Sequence, residues 1–242
     1  MSVGFGLLGP VRAWRDGVEL PLGARPQRAV LAVLLLAKRR QVSADELIGA
    51  VWGSSPPRSA LMATRTYVSR LRTLLDDIEI RAIGGGYQLM AAPAAVDVSI
   101  FHETRAAARA AHTRGDLPEA SRLLHDALRL WRGPALEDLT GPYFATRRQW
   151  LQEQRATTRQ DSWSLAIDLG LYAEAIADLT QATAENPYHE QLWALLVQAQ
   201  TLAGLTTDAA ATYARISQIL AEDLGLEPGP ALRATVSHRS VA

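Results

Sequence analysis

Along the first twenty residues apolar and polar positions alternate in short runs: VGFGLL (residues 3–8), VRAW (11–14) and VEL (18–20), punctuated by Gly9-Pro10 and Asp16-Gly17. Alternation with a period of two, broken by such pairs, predicts a β-meander. After Pro26 the spacing becomes helical; proline suits a first helical turn because it has no amide hydrogen to leave unpaired there. That helix is predicted to end near Arg40. A second start signal follows in Ser43-Ala44-Asp45-Glu46, where Ser43 can accept from the Glu46 amide and Glu46 can reach back to Ser43, a capping box. The short helix it begins, with Leu47, Ile48 and Val51 apolar, stops at Trp52-Gly53, and Pro56-Pro57 makes the next residues a loop.

A third helix is predicted over about residues 59–76. Leu61, Thr64, Val68, Leu71 and Leu75 are spaced so that all five fall on one side of the cylinder. At about 100° per residue, Thr66, Ser69, Arg70 and Thr73 point away from that side, with Arg65, Tyr67 and Arg72 on its flanks. Two short strands around Gly84-Gly85-Gly86 then read as a hairpin. The stretch APAAVDVS (residues 92–99) reads as a linker.

Beyond it the chain is helical and rich in Ala and Leu. Gly115, Gly170 and Gly204 each stand five residues before an alanine (Ala120, Ala175, Ala209) and nine before a large residue (Leu124, Leu179, Tyr213). The interval from Gly170 to Gly204 equals the tetratricopeptide period of about 34 residues. Asn186-Pro187 ends one helix where such repeats often carry a proline. Each repeat would be a helix pair that buries its inner face by stacking on its neighbours and leaves a concave surface for partners.

The expected fold class is therefore α+β, mostly helical. A winged helix-turn-helix with a β-sheet occupies residues 1–93, and an all-α tetratricopeptide-like domain occupies residues 94–242. In a winged helix the third helix enters the major groove and the hairpin reaches the adjacent minor groove or backbone. Arginine and hydroxyl side chains on one helical face supply charge-assisted bonds to phosphate and base-edge bonds that read sequence.

Charge strengthens that expectation. The 242 residues carry no formal net charge, yet residues 1–95 hold 12 basic against 7 acidic side chains and the remainder 13 against 18. A basic half beside an acidic half fits nucleic-acid binding in the first and another task in the second. At 48% hydrophobic the chain can bury a sizeable core. Cysteine is absent, which excludes disulfides and thiolate metal sites and fits a reducing compartment. The longest apolar run, residues 29–37, is far too short for a membrane span. The first residues alternate like a strand rather than a signal peptide, so the expected location is the cytoplasm.

Several ordered stretches resemble the Streptomyces antibiotic regulatory protein (SARP) family: FGLLGPVRAWRDGVELPLG, QRAVLAVLLL, VSADELIGAVWGSSPPRSA, TYVSRLR, GGGYQL, LWRGPALEDL and EDLGLEPGPALR. They cover nearly the whole chain. That family joins an OmpR-type winged helix to a bacterial transcriptional activation domain. The resemblance implies a sequence-specific activator of secondary-metabolite, antibiotic-type gene clusters. It would bind direct repeats in double-stranded DNA near the promoter −35 element, self-associate there, and recruit RNA polymerase through its sigma or alpha subunit. On this likeness the chain corresponds to the short members, without the ATPase and sensor modules of the long ones. Carried over by position, Arg65, Thr66, Tyr67, Ser69, Arg70, Arg72 and Thr73 meet groove or phosphate. Trp52 and the loop Gly53, Ser54, Ser55, Pro56, Pro57 and Arg58 form the turn before the recognition helix, near the backbone and toward polymerase. Arg81, Gly85 and Tyr87 belong to the wing. Where family members often have glutamine this chain has Arg65, which implies a preference for guanine over adenine. Ile83 stands where a basic wing residue is common, leaving Arg81 as the nearest charge.

Other chemistry finds no support. His102, His112, His125, His189 and His238 have no metal-ligand spacing, and no cofactor is expected. Gly84-Gly85-Gly86 lacks the lysine and following helix of a phosphate loop, and no G-x-S-x-G elbow occurs, so the chain is not read as an enzyme. Trp131, Trp150, Trp163 and Trp193 fall in apolar helical patterns and are expected in the core. The competing readings are a protein-interaction adaptor working through its helical repeats, and a repressor of the same fold.

Overall fold

The computed structural model describes residues 3–237. His238 lies outside the described residues. Two compact units emerge: residues 1–109 with 123–157, and residues 110–122 with 158–242.

The first unit opens with an antiparallel sheet in the order β1-β2-β3 (Val3–Gly6, Arg12–Arg15, Val18–Glu19), with Phe5 opposite Ala13 and Trp14 opposite Glu19. Asp16 and Gly17 both have positive φ, 48° and 85°, the backbone a two-residue hairpin needs to match strand twist. Leu7 and Leu8, just past β1, are fully buried.

Helix α1 (Arg25–Leu36) has Pro26 in its first turn and buries every residue from Ala29 to Leu35. It ends four residues before Arg40, where the spacing predicted its end. Lys38 and Arg39 adopt left-handed φ values of 49° and 65°, turning the chain so that buried Val42 enters the two-residue strand β4 (Val42–Ser43). Helix α2 (Ala44–Trp52) follows directly, and Gly53 leaves it with φ 65°. Helix α3 (Ala60–Leu74) and the hairpin β5 (Ile80–Ile83) and β6 (Gly86–Leu89) complete this part, with sheet order β4-β6-β5. The sequence predicted the hairpin but not its third strand, which is too short to carry a period.

Residues 92–99 are not a loose linker. Pro93–Ala95 forms one 3-10 turn, Val96 bridges to Phe5 in parallel, and helix α4 (Asp97–Thr113) begins at a buried carboxylate. Asp97 accepts the Leu7 amide at 2.8 and 2.9 Å, the Leu8 amide at 3.0 Å, and Arg132 Nη2 at 2.9 Å. Between helices α5 (Leu117–Arg129) and α6 (Pro142–Asp168), residues 130–139 bond to the connection between β1 and β2. Arg132 and Leu136 amides donate to the Leu8 and Leu7 carbonyls at 2.8 and 3.0 Å, while Asp138 accepts from the Val11 amide and from Arg28. Arg148 donates to the carbonyls of Ala135, Leu136 and Leu139 at 2.6 to 2.9 Å. The motifs FGLLGPVR and LWRGPALEDL thus hold each other. A Cβ at Gly6 would overlap the Arg132 guanidinium and would have to displace it from Asp97.

The second unit is built of helix pairs: α7 (Tyr172–Glu185), α8 (Glu190–Leu202), α9 (Thr206–Ile219), a wider π-helical turn over Leu220–Leu224, and α10 (Pro230–Ser237). Helix α8 packs against α7, α9 and α10. The repeat seen in the sequence is repeated in bond geometry. Gly115, Gly170 and Gly204 have φ of 78°, 75° and 78°. The residue after each donates to a carbonyl five positions back: Asp116 to Ala111, Leu171 to Ala166 and Leu205 to Gln200. A glycine in left-handed conformation past a helix end satisfies otherwise orphaned carbonyls. Ala120, Ala175 and Ala209 are all buried. Trp131, Trp163 and Trp193 are buried as expected, but Trp150 is 45% exposed. It sits one residue, about 100°, off the buried row of Phe144 and Leu151.

Candidate nucleic-acid interface

Helix α3 is seated by Ala60, Thr64, Val68 and Leu71, with Leu75 just past its end; all are buried. Leu61, counted on this stripe from its spacing, is 44% exposed, and the smaller Ala60 takes the inward place in the first turn. Thr64 is tolerated in the core because its hydroxyl donates to the Ala60 carbonyl at 2.9 Å.

The outer face is wet, as its pattern requires. Arg65, Thr66, Ser69, Arg70, Arg72 and Thr73 are exposed, and Tyr67 is half-buried against the core. Their hydrogen-bonding capacity differs. Thr66 and Thr73 donate their hydroxyl hydrogens to the Met62 and Ser69 carbonyls, at 3.0 and 3.3 Å, and keep only acceptor capacity for an outside group. Among the described residues the side chains of Arg65, Ser69 and Arg70 make no hydrogen bond or ion pair. Arg72 is different: its Nε donates to the Ile80 carbonyl at 2.9 Å, and its guanidinium stands 5.9 Å from the Tyr87 ring centroid. It braces the helix against the hairpin.

The hairpin β5–β6 turns at Gly84 and Gly85. Gly84 and Gly85 both have positive φ, 50° and 78°, as a two-residue hairpin turn needs. Gly86 is required for another reason: a Cβ there would lie 2.2 Å from the Val42 carbonyl oxygen, where β6 meets β4. Gln41 Nε2 donates to the Ile83 carbonyl at 2.7 Å and steadies the tip. Arg81 is paired with Glu79 at 2.7 Å; that hydrogen bond raises the guanidinium pKa and lowers the carboxyl pKa. Ile83 is exposed. Glycine spacing pointed to Gly85, but the steric demand on Gly86 and the role of Gln41 depend on contacts distant in sequence.

Helix α2 and the next loop lie before α3. Ser43 Oγ accepts the Glu46 amide at 3.0 Å, the first half of the capping box. Glu46 is held chiefly by Arg40, at 2.6 Å, which lowers its carboxyl pKa against the opposing effect of burial; the Ser43 amide adds a smaller lowering. Trp52 and Gly53 are half-buried, and Ser54, Ser55, Pro56, Pro57 and Arg58 are exposed. Among the described residues Arg58 has no partner. No group of three His, Asp or Glu side chains able to hold a metal ion occurs among the described residues, and none of the helices is long and apolar enough to cross a membrane.

Helix α3 thus presents a bare guanidinium face and is braced by Arg72 against a glycine-tipped hairpin. Residues 96–238 match the bacterial transcriptional activator domain family. The regulatory protein AfsR of Streptomyces coelicolor is 44% identical over 230 residues, 95% of this chain and 23% of AfsR. The regulatory protein DnrI of Streptomyces peucetius is 31% identical over 240 residues, 94% of this chain and 88% of DnrI. A solved structure of Mycobacterium tuberculosis EmbR in complex with a low-affinity phosphopeptide superposes with a TM-score of 0.92 at 37% identity, covering 98% of this chain and 64% of that one. The chain therefore belongs to the Streptomyces antibiotic regulatory protein family, whose named relatives are regulatory proteins. It spans about a quarter of AfsR.

Proposed function

We propose that the chain is a sequence-specific DNA-binding transcription activator of a secondary-metabolite gene cluster. In this reading residues 1–93 act as an OmpR-type winged helix and residues 94–242 as a tetratricopeptide-like activation domain. The observation that carries it is the outer face of α3, where Arg65, Ser69 and Arg70 are exposed and unpaired among the described residues. Unpaired donors on a rigid helix match phosphate oxygens and base edges. Arg65 reads guanine where a glutamine would read adenine; Arg70 contacts phosphate; Arg72 and Tyr87 hold the wing to the helix. The loop of residues 53–58, exposed from Ser54 onward, is the surface offered to RNA polymerase, through its sigma or alpha subunit, when two protomers sit on direct repeats about one helical turn apart. The family membership and the names of the relatives support regulation of transcription.

The test is a gel shift of the full chain on DNA upstream of its neighbouring genes, repeated over a range of salt. Arg70→Ala is expected to weaken binding to every sequence and to reduce the steepness of the salt dependence by about one counterion. Arg65→Gln is expected to exchange guanine for adenine at one position of each repeat. Binding with no sequence preference in the wild type would leave the adaptor reading instead.

A further inference from the structure

One residue on the outer face of α3 does not share its chemistry. Met62 is 62% exposed, more than any other large apolar side chain of this helix. An isolated exposed methionine is ordinary; its position is what matters. At about 100° per residue, Met62, Ser69, Thr73 and Thr66 fall within an arc of about 60°, opposite the buried row of Thr64, Val68, Leu71 and Leu75. Arg65 and Arg70 border the arc on either side. Met62 thus stands at the centre of the wet face, in the first turn. A side chain that can neither donate nor pair with phosphate there gains nothing from water and nothing from the DNA backbone.

We propose that Met62 forms a subsite for the C5-methyl group of a thymine. This rests on the reading of α3 as the helix that lies in the major groove. The thymine methyl is the apolar element each A·T pair presents in that groove. The first turn of a recognition helix reaches the base edges. Thr66, one turn on from Met62, has its hydroxyl committed to the Met62 carbonyl at 3.0 Å, so the two together offer a thioether and methyl surface rather than a second donor. Methionine, unbranched and polarizable, fits an irregular apolar gap. Arg65, on the next turn, reads a guanine adjacent to this thymine.

The full chain would first select its site from a random duplex library. Each thymine of the selected duplex is then replaced singly by deoxyuridine, which removes only the methyl, and affinity is measured by fluorescence anisotropy at fixed salt. One replacement per half-site is expected to weaken wild-type binding about fourfold, the factor for burying one methyl-sized group. Met62→Ala is expected to bind the thymine and deoxyuridine duplexes equally, and Met62→Leu to restore the difference. Because the side chain is exposed, both variants should melt like the wild type. If no replacement weakens the wild type, or Met62→Ala still discriminates, the subsite is wrong while the DNA-binding reading stands. If no sequence is selected at all, that reading falls and the subsite with it.

Discussion

Two sets of arginines in this chain meet opposite fates. Around residues 130–139, Arg28, Arg132 and Arg148 are each committed: to Asp138, to Asp97, and to three backbone carbonyls. On and just before α3, Arg58, Arg65 and Arg70 are exposed and have no partner among the described residues. The acceptors explain the first set: Asp97 is buried and Asp138 and the carbonyls are largely withdrawn from water, so each must recover a donor or the fold loses stability. Nothing in folding demands the second set, since a solvated arginine contributes little. The difference teaches where to look for function: charges that stabilise are paired, and charges left bare on a rigid face are available to something outside.

The sharpest way to break the comparison is to remove the acceptor at the centre of the paired set. Asp97→Ala leaves the Leu7 and Leu8 amides and Arg132 without their carboxylate, and is expected to cost about 3–5 kcal/mol by urea unfolding, the range for breaking a buried pair. Asp97 also behaves unlike an ordinary salt-bridged acid. Burial raises its pKa, and the two amides and Arg132 only partly oppose that. A native pKa above the unfolded one means that the native state holds more protons there. This carboxyl's contribution therefore falls as pH rises through the window above about 3.8, then levels off. The wild-type advantage over Asp97→Ala should accordingly be larger on the acid side of that window than above it. An advantage that grows with pH instead would mean that the carboxylate is stabilised by its partners more than it is penalised by burial.

Next in size is Arg148→Ala, which uncovers three carbonyls and is expected to cost about 2–3 kcal/mol, with Arg148→Lys recovering part of it. The matching change in the other set, Arg70→Ala, should move the unfolding midpoint by an amount equivalent to less than about 0.5 kcal/mol. If both variants lost the same stability, the division between paired and bare arginines would carry no functional meaning.

How far these features were legible in the sequence follows from the distance over which they act. The β-meander, α2 with its Ser43 cap, the wet face of α3 and the glycine turns of the repeat rest on neighbours within a few residues, so period and turn chemistry were enough. Leu61 and Trp150 were misjudged because each is one position off a buried row, and spacing alone does not say which of two adjacent residues the core accepts. The clasp between Asp97, Arg132 and Leu7 rests on a bond between residues 90 positions apart, and the stretch that carries Asp97, APAAVDVS, has the composition of a linker. Only the fold could show that its aspartate is buried. The same limit applied to Arg72: helical spacing set it on the flank of the wet face, but its bond to Ile80 depends on where the hairpin returns.

An effect of similar size tests the boundary between the two sets, at Arg40 and Glu46. This pair is exposed on one side, 58% for the arginine side chain and 35% for the glutamate, so solvent screening limits its value to about 0.5 kcal/mol. The Glu46 pKa is lowered, first by the Arg40 hydrogen bond and by its charge, against burial. A depressed acid contributes stability that is present above its unfolded pKa and is lost as pH falls through the folded one. Glu46→Gln should therefore be slightly less stable than the wild type at neutral pH and equal to it at acid pH, with the gap shrinking in high salt. That is the opposite sign from Asp97, although both carboxylates face an arginine. Burial decides between them: Asp97 lies inside, where losing water outweighs its partners, and Glu46 lies at the surface, where the partner outweighs the loss.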